Sequence, residues 1–274
     1  MSHFVLLVVG DNIDKQLEPY NQDVSGTEPW AEFLDQRADP DTQEDYKSGS
    51  AQFYYCSLRE KWISKYRLAD ERIPKDSVTL EEKFYRDVMT FTEYLENWCG
   101  FSFHENLDTY GYHRNPNAQW DWYEVGGRWD GTLLLKEGLK GTLGVVGRHG
   151  RDENLTERRT SIARVGDVDW AGMAQEGLDQ GEKSWSEAAG EDPGTRYFRY
   201  GIDQDDTKES YLKKCSGPSF FAYLKDGKWF SKGDMGWFGI SYNECDPDVW
   251  RGDLTGMLES LDPDTTITVV DCHI

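Results

Sequence analysis

Two short apolar runs, one near each end of the sequence, constrain the fold more than any other feature. Residues 4–9 and residues 265–270 are rich in β-branched and apolar side chains, and short runs of this kind bounded by turn residues are typical of buried strands. Strands covered on both faces have such continuous runs, so we expect these two to be neighbours in one central sheet. The sequence therefore predicts an α+β fold, with a central mixed or antiparallel sheet formed by the N- and C-terminal strands.

The segment after the first strand carries helical patterns. Apolar residues three and four positions apart predict helices over residues 27–38, 52–70 and 79–98. The third begins with a capping box at Thr79, and residues 37–50 are polar and acidic, which predicts a loop. We expect a single domain over residues 1–274, with a helical excursion within it over residues 20–105.

The C-terminal half alternates helix and strand signals. We expect helices over residues 169–189, capped from Asp167, and over residues 207–215, and a strand over residues 195–202. Asp226-Gly227 lies between two strand-like runs and predicts a type I′ hairpin. Asp246-Pro247 supplies an N-cap and a proline at the first helical position, so a further helix follows it.

The charge balance argues against two classes of partner. Lys and Arg number 30 and Asp and Glu number 51, which gives a formal net charge of −21. Such a chain lacks the clustered cations that neutralise the phosphates of duplex DNA, and an anionic membrane surface repels it. No apolar stretch approaches the ~18 residues of a membrane span. We therefore expect no duplex nucleic acid and no membrane as partners.

Cysteine usage predicts the redox state. The chain has five cysteines, an odd number, and none of them forms a CxxC pair. Structural zinc sites need ligands paired at short spacing, and disulfides are rare in reducing compartments. The sequence therefore predicts reduced thiols in a cytoplasmic protein, with no disulfide, no bound metal and no cofactor.

The richest chemistry lies in an aromatic and polar segment over residues 110–131. Indole rings can stack on a base or a sugar, and arginine can bind phosphate with two parallel hydrogen bonds. These properties predict a ligand-binding surface formed by His113, Arg114, Asn117, Trp120, Trp122, Tyr123, Arg128 and Trp129, with Arg148 from a neighbouring loop. The alternative is a tryptophan-rich core hairpin in which Arg128 pairs with Asp121 or Asp130.

A glycine-rich loop over residues 138–150 leads into an arginine-rich stretch that ends at Arg164. Freed backbone amides together with arginines can cradle an anion, whereas the alternative is a solvated loop. The acidic segments elsewhere are explained either by solubility or by mimicry of nucleic acid.

Two histidines lie near the chain ends. If the terminal strands are neighbours, His3 and His273 approach each other with Asp271 close by. Alternation along a strand places Asp271 and His273 on one face and Cys272 on the other. The pair is open to two interpretations: a metal or acid–base site, or two buried, hydrogen-bonded side chains.

Four segments together carry a family resemblance. They are SHFVLLVVGDN from Ser2, WDWYEVGGRW from Trp120, GDMGWFG from Gly233 and VVDCHI from Val269. This set resembles an uncharacterised family of tailed-bacteriophage proteins. The resemblance implies a viral origin and a location in the host cytoplasm, and it brings no established activity and no catalytic residue.

Three classes of function follow. The first is a phage protein that counters host defence by binding and sequestering a nucleotide-type ligand. Sequestration needs high affinity, which sites shared between subunits would favour, so we expect a homo-oligomer. The second is an acidic inhibitor directed at a host defence protein or a nucleic-acid enzyme. The third is a nucleotide-acting enzyme, which is the weakest because the sequence shows no nucleophile–base motif and no metal-ligand spacing.

Overall fold

A computed structural model describes residues 2–48, 90–141, 145–146, 157–236 and 240–274. The chain divides into two compact units, which we call unit 1 (Met1–Gln22 with Asn117–Ile274) and unit 2 (Asp23–Pro116). Unit 2 spans most of the predicted excursion over residues 20–105.

The described residues form the following elements. The strands are β1 (His3–Val9), β2 (Glu32–Asp35), β3 (Ser102–His104), β4 (Thr109–Arg114), β5 (Trp122–Gly127), β6 (Leu133–Leu134), β7 (Val145–Val146), β8 (Arg159–Thr160), β9 (Ile162–Arg164), β10 (Ala222–Lys225), β11 (Lys228–Ser231), β12 (Asp234–Met235), β13 (Ser241–Tyr242) and β14 (Thr266–His273). The helices are α1 (Ile13–Leu17), α2 (Pro40–Ser48), α3 (Phe91–Glu93), α4 (Trp170–Glu187), α5 (Pro193–Tyr200), α6 (Lys208–Cys215) and α7 (Pro247–Glu259), and α3 continues into a π-helical turn over Tyr94–Trp98.

Unit 1 is built on a mixed sheet. Its strand order is β11-β10-β1-β14-β5-β7, and β9 also pairs with β14. β1 runs antiparallel to β14 and parallel to β10. The predicted α+β fold is therefore confirmed, and so is the pairing of the N- and C-terminal strands at the centre of one sheet.

The sheet is covered on both faces, which explains why its central strands are apolar throughout. On one face Val5, Leu7 and Val269 pack in a core that includes Leu254 of α7. On the other face Phe4, Leu6 and Val8 pack with Leu17 and Trp120. Leu6, Leu7 and Val8 are completely buried. Strands buried on both faces have continuous apolar runs instead of alternating ones.

Local signals place three predicted elements of unit 1 correctly. Thr207 caps α6, and its hydroxyl accepts from the Ser210 amide at 3.1 Å. Asp246 caps α7, and its carboxylate accepts from the Asp248 amide at 2.8 Å. The β10–β11 hairpin turns at Asp226-Gly227, where both residues have positive φ, as a type I′ turn requires.

Two expectations for unit 1 were wrong. Residues 195–202 were expected to form a strand, but helix α5 occupies most of them because Asp192 caps it, Pro193 follows the cap and Gly201 ends it with a φ of 66°. The helix over residues 169–189 exists as α4, but its cap is Asp169 instead of Asp167. The Asp169 carboxylate accepts from the Gly172 amide at 2.9 Å, whereas Asp167 ends a 3₁₀ turn.

Unit 2 contains a three-stranded antiparallel sheet in the order β2-β4-β3. The helix expected over residues 27–38 is absent, because residues 32–35 pair with β4 as strand β2. The loop expected over residues 37–50 contains helix α2, which begins at Pro40. The helix expected over residues 52–70 and the capping box at Thr79 lie outside the described residues. Residues 91–98 of the third expected helix are helical, but Thr90 is extended and forms a capping box with Glu93. A continuous helix through residue 90 was therefore wrong.

Candidate functional site

The terminal strands bring two histidines together at one end of the sheet of unit 1. β1 and β14 pair with His3 opposite His273 and with Val5 opposite Asp271. The two imidazole rings lie edge to face, with their centroids 4.9 Å apart. The expected approach of His3 and His273 is therefore confirmed. We call His3, His273, Asp271 and Asp121 the histidine cluster.

Each histidine of the cluster is fixed by its own carboxylate. Nδ1 of His3 lies 2.8 Å from Oδ1 of Asp271, and Nδ1 of His273 lies 2.6 Å from Oδ1 of Asp121. Asp271 is only 2 % exposed, and its second oxygen accepts from the Arg128 amide at 2.9 Å. Nε2 of His273 is buried and has no hydrogen-bond partner among the described residues. The two pairs form a rigid polar cluster in a sheet that is otherwise apolar.

Strand β5 closes one side of the histidine cluster. Its first residue, Trp122, stacks on the His273 ring with centroids 5.1 Å apart, and it meets the His3 ring edge to face at 5.3 Å. Its last residue, Gly127, has a φ of 50°, and a Cβ atom added there would lie 2.4 Å from Cβ of Asp271. Only glycine allows β5 to pass this close to the Asp271 carboxylate.

A cavity of about 550 Å³ lies beside His3. It is lined by His3, Phe4, Val5, Trp129, Asp203, Lys214, Pro218, Ser219, Phe220, Phe221, Lys232, Met235, Glu244, Cys245, Pro247, Trp250 and Arg251. Five of these side chains are aromatic, and three cationic side chains face two acidic ones. The wall therefore carries cationic as well as acidic side chains, although the net charge of the chain is −21.

Ion pairs hold the three cationic side chains of the cavity. Lys214 Nζ lies 2.7 Å from Asp203, Lys232 Nζ lies 3.1 Å from Glu244, and Arg251 lies 2.8 Å from Asp248. Burial alone would lower the pKa of Lys214, but its hydrogen bonds to aspartates raise that pKa above the usual value. Burial alone would raise the pKa of Glu244, but hydrogen bonds from Ser241 and Lys232 lower it. The charged forms of both groups are therefore favoured.

Two of the residues predicted to bind a ligand lie in unit 2. The His113 ring packs against Phe33, with centroids 5.2 Å apart. Arg114 is half-exposed and forms an ion pair with Glu32 at 3.2 Å. Arg148 lies outside the described residues. His113 and Arg114 thus belong to a different unit from the histidine cluster.

The remaining predicted site residues lie in unit 1 but not in one cluster. Trp120 is a core residue, 6 % exposed, whose indole nitrogen donates to the Leu17 carbonyl at 3.2 Å. Tyr123 packs edge to face on Trp120, and its hydroxyl donates to Asp14. Burial and this hydrogen bond raise the pKa of Tyr123. These residues fit the alternative of an aromatic core better than a ligand surface.

Of the other predicted site residues, one lines the cavity and three are exposed to solvent. Trp129 lines the cavity. It packs against the core on one face of the sheet, whereas Trp120 belongs to the core on the other face. Trp122 is partly exposed, and Asn117 is exposed. The Arg128 side chain is exposed and forms no ion pair among the described residues, so the alternative pairing with Asp121 or Asp130 is not observed. Trp120 and Trp129 lie on opposite faces of the sheet, so the structure does not bring these two predicted site residues together.

No local pattern in the sequence indicates the cationic side chains of the cavity. Lys214 lies in the last turn of α6, Lys232 follows β11 and Arg251 belongs to α7. The three residues are spread along the chain and meet only through the fold. Aromatic spacing within one segment, which directed the prediction to residues 110–131, carries no information about such a site.

No group of three or more His, Cys, Asp or Glu side chains within the described ranges is arranged to hold a metal ion. None of the helices in the described part of the chain is long and apolar enough to cross a bilayer. The four cysteines described, Cys99, Cys215, Cys245 and Cys272, are free thiols.

No family model, no curated protein and no solved structure matches the chain.

Proposed function

We propose that this chain binds a small nucleotide-type ligand in the cavity beside His3. The observation that carries the proposal is the combination of aromatic and cationic side chains around about 550 Å³ of space. Ligand sites for small molecules have volumes of roughly 300–1,000 Å³, with mostly apolar walls and a few polar groups that fix orientation. A nucleotide matches both parts, since its base is flat and its phosphate is anionic.

The aromatic and the cationic side chains of the cavity wall suit different parts of a nucleotide. Indole faces such as that of Trp129 favour stacking with a base. The Arg251 guanidinium has the planar geometry that suits phosphate, and it is already held in place by Asp248 at 2.8 Å. An acidic protein repels anions at long range, so the ligand must be captured within the cavity and not by the outer surface.

The biological role that we propose is that of a phage protein acting in the host cytoplasm against host defence. It would do so by withdrawing a nucleotide-type signal from the host. The sequence resemblance supports the viral part of this proposal, and the cavity supports the ligand class. A homo-oligomer that shares several such sites remains a prediction.

The test is equilibrium dialysis of the purified protein against adenosine and guanosine nucleotides, both linear and cyclic. Arg251→Gln removes one cation from the cavity, and hydrogen bonds to charged groups contribute about 1.5–3 kcal/mol. We therefore expect the Kd to rise by about tenfold or more. The matched control is Arg164→Gln, because Arg164 is exposed, pairs with Asp264 at 3.1 Å and lies outside the cavity wall.

The control separates capture in the cavity from general electrostatics. Both variants lower the charge of the chain by the same amount, so an effect of net charge would weaken binding equally in both. Retention of nucleotide by the unmodified protein, with a selective loss in Arg251→Gln, is the expected result. Absence of any retained nucleotide would overturn the proposal.

A further inference from the structure

The His3–Asp271 pair connects the histidine cluster to the cavity, because His3 belongs to both. Nδ1 of His3 is 2.8 Å from the Asp271 carboxylate, and the His3 ring forms part of the cavity wall. A carboxylate oxygen accepts hydrogen bonds, so Nδ1 is the nitrogen that donates, and in the neutral imidazole Nε2 then carries the lone pair. The imidazole is thus oriented by one nitrogen, and the other nitrogen is left for proton transfer.

Asp271 is held more rigidly than an ordinary surface carboxylate. It is 2 % exposed, and its second oxygen accepts from the Arg128 amide at 2.9 Å. Gly127 passes so close that an added Cβ atom would lie 2.5 Å from Oδ2 of Asp271. A carboxylate fixed in this way orients an imidazole that then acts on a third group.

His3, and not His273, is the histidine that a ligand can reach. His273 is 5 % exposed, its Nε2 is buried, and its ring lies against Trp122 and His3. It does not line the cavity. His273 therefore supports the His3 ring from the side, whereas His3 belongs to both the cluster and the cavity wall.

We infer that His3 is a general base that hydrolyses a phosphodiester bond of the ligand in the cavity, and that Asp271 is its positioning residue. The inference rests on the proposed function, because the ligand must first enter the cavity. It also changes the mode of action, since the ligand would be removed by cleavage instead of sequestration.

The reaction needs only water as a co-reactant. Nε2 of His3 takes a proton from a water molecule while the water oxygen forms a bond to phosphorus. The bond from phosphorus to the leaving oxygen breaks, and that oxygen keeps the electron pair. The imidazolium then returns its proton to the leaving oxygen, so the products are a phosphomonoester and an alcohol.

The experiment uses the full chain and bis(p-nitrophenyl) phosphate. Its p-nitrophenolate leaves without needing a proton, so the release of colour isolates the general-base step. We expect steady release by the unmodified protein, and a decrease in kcat of about 100-fold or more in His3→Gln. Asp271→Asn lowers kcat and leaves KM unchanged, because Asp271 orients His3 and does not touch the substrate.

Asp179→Asn is the matched control for Asp271→Asn. Asp179 is an exposed carboxylate on α4 whose partner is Gln175 at 2.8 Å, so its replacement leaves the rate unchanged. Circular dichroism confirms that each variant is folded. If His3→Gln does not fold, Asp271→Asn decides, and an unchanged kcat in that variant overturns the inference.

The two proposals fail in different ways. Retention of nucleotides without release of p-nitrophenolate overturns the general-base role and leaves the binding proposal intact. Release that depends on His3, without retention of any nucleotide, supports the base and overturns the nucleotide as ligand. Release that is equal in the unmodified protein and His3→Gln overturns the assignment of His3.

Discussion

Replacement of Gly127 by alanine tests whether the close approach of β5 to Asp271 is what requires a glycine. Gly127 combines a φ of 50° with a near neighbour, since an added Cβ atom would lie 2.4 Å from Cβ of Asp271 and 2.5 Å from its Oδ2. The Asp271 side chain cannot move freely, because His3 and the Arg128 amide hold its two oxygens. The substitution therefore strains the backbone and also displaces a buried carboxylate.

The two costs can be estimated separately. A residue with a Cβ atom costs roughly 1–2 kcal/mol in the left-handed region, and overpacking of a well-packed site costs typically 1–3 kcal/mol. We therefore expect Gly127→Ala to lower the free energy of unfolding by about 2–5 kcal/mol. Gly201→Ala supplies the matched control, because Gly201 has a φ of 66° and nothing within 4 Å of an added Cβ atom.

Urea unfolding followed by tryptophan fluorescence measures both variants, since the chain contains 11 tryptophans. Gly201→Ala carries only the backbone cost, about 1–2 kcal/mol. The difference between the two variants is then the cost of the contact with Asp271. Equal destabilisation of the two proteins would refute the reasoning, because it would show that β5 and Asp271 separate without cost.

Three further predictions concern packing, capping and pH, and urea unfolding checks each of them. Leu6→Ala removes a completely buried side chain of the central strand and should cost about 2–5 kcal/mol; a cost below that range would contradict the packing of β1. Asp246→Ala removes the cap of α7 and should cost about 0.5–2 kcal/mol, and no change would mean that the cap is dispensable. Burial alone would raise the pKa of Asp206, but hydrogen bonds from Lys214 and other groups lower it. The carboxylate therefore stabilises the fold above its ordinary pKa and loses this effect as the pH falls through the lowered value, so Asp206→Asn should destabilise the protein more near pH 7 than near pH 3. Equal destabilisation at both pH values would contradict this assignment.

The central sheet could be predicted because the composition of its central strands shows that both of their faces are buried. Continuous apolar runs at both ends of the chain require cover on two faces, and the structure covers them with two cores. The hairpin at Asp226-Gly227 and the caps at Thr207 and Asp246 were equally readable, because each depends on a few neighbouring residues. Short-range chemistry of this kind acts regardless of the rest of the fold.

The missed helices had a signal of the same kind. Asp39-Pro40 begins α2 and Asp192-Pro193 begins α5, just as Asp246-Pro247 begins α7. An aspartate cap followed by proline at the first helical position satisfies one orphan amide and removes another. The signal is not sufficient alone, because Asp262-Pro263 leads into a turn before β14.

Strand β2 shows the opposite case, in which tertiary pairing decides. Phe33 and Leu34 have the spacing of a helical face with Trp30, yet they pair with His113 and Tyr112 of β4. Periodicity over so few residues fits a helix and a strand about equally well. The partner strand lies about eighty residues further along the chain, so no local pattern could have chosen between them.

The histidine cluster depends on the register of β1 against β14. Because His3 lies opposite His273 and Val5 opposite Asp271, the odd-numbered residues of both strands share one face. The same face buries Leu7 and Val269 in the core below α7. A slip of one residue would move every side chain of a strand to the other face of the sheet. The apolar side chains would then leave this core, and the His3–Asp271 contact would be lost. The hydrophobic free energy that fixes the register therefore also brings together a polar pair whose members are 268 positions apart. For this reason the alternation of residues along the two strands, and no local motif, predicted the approach of the two histidines.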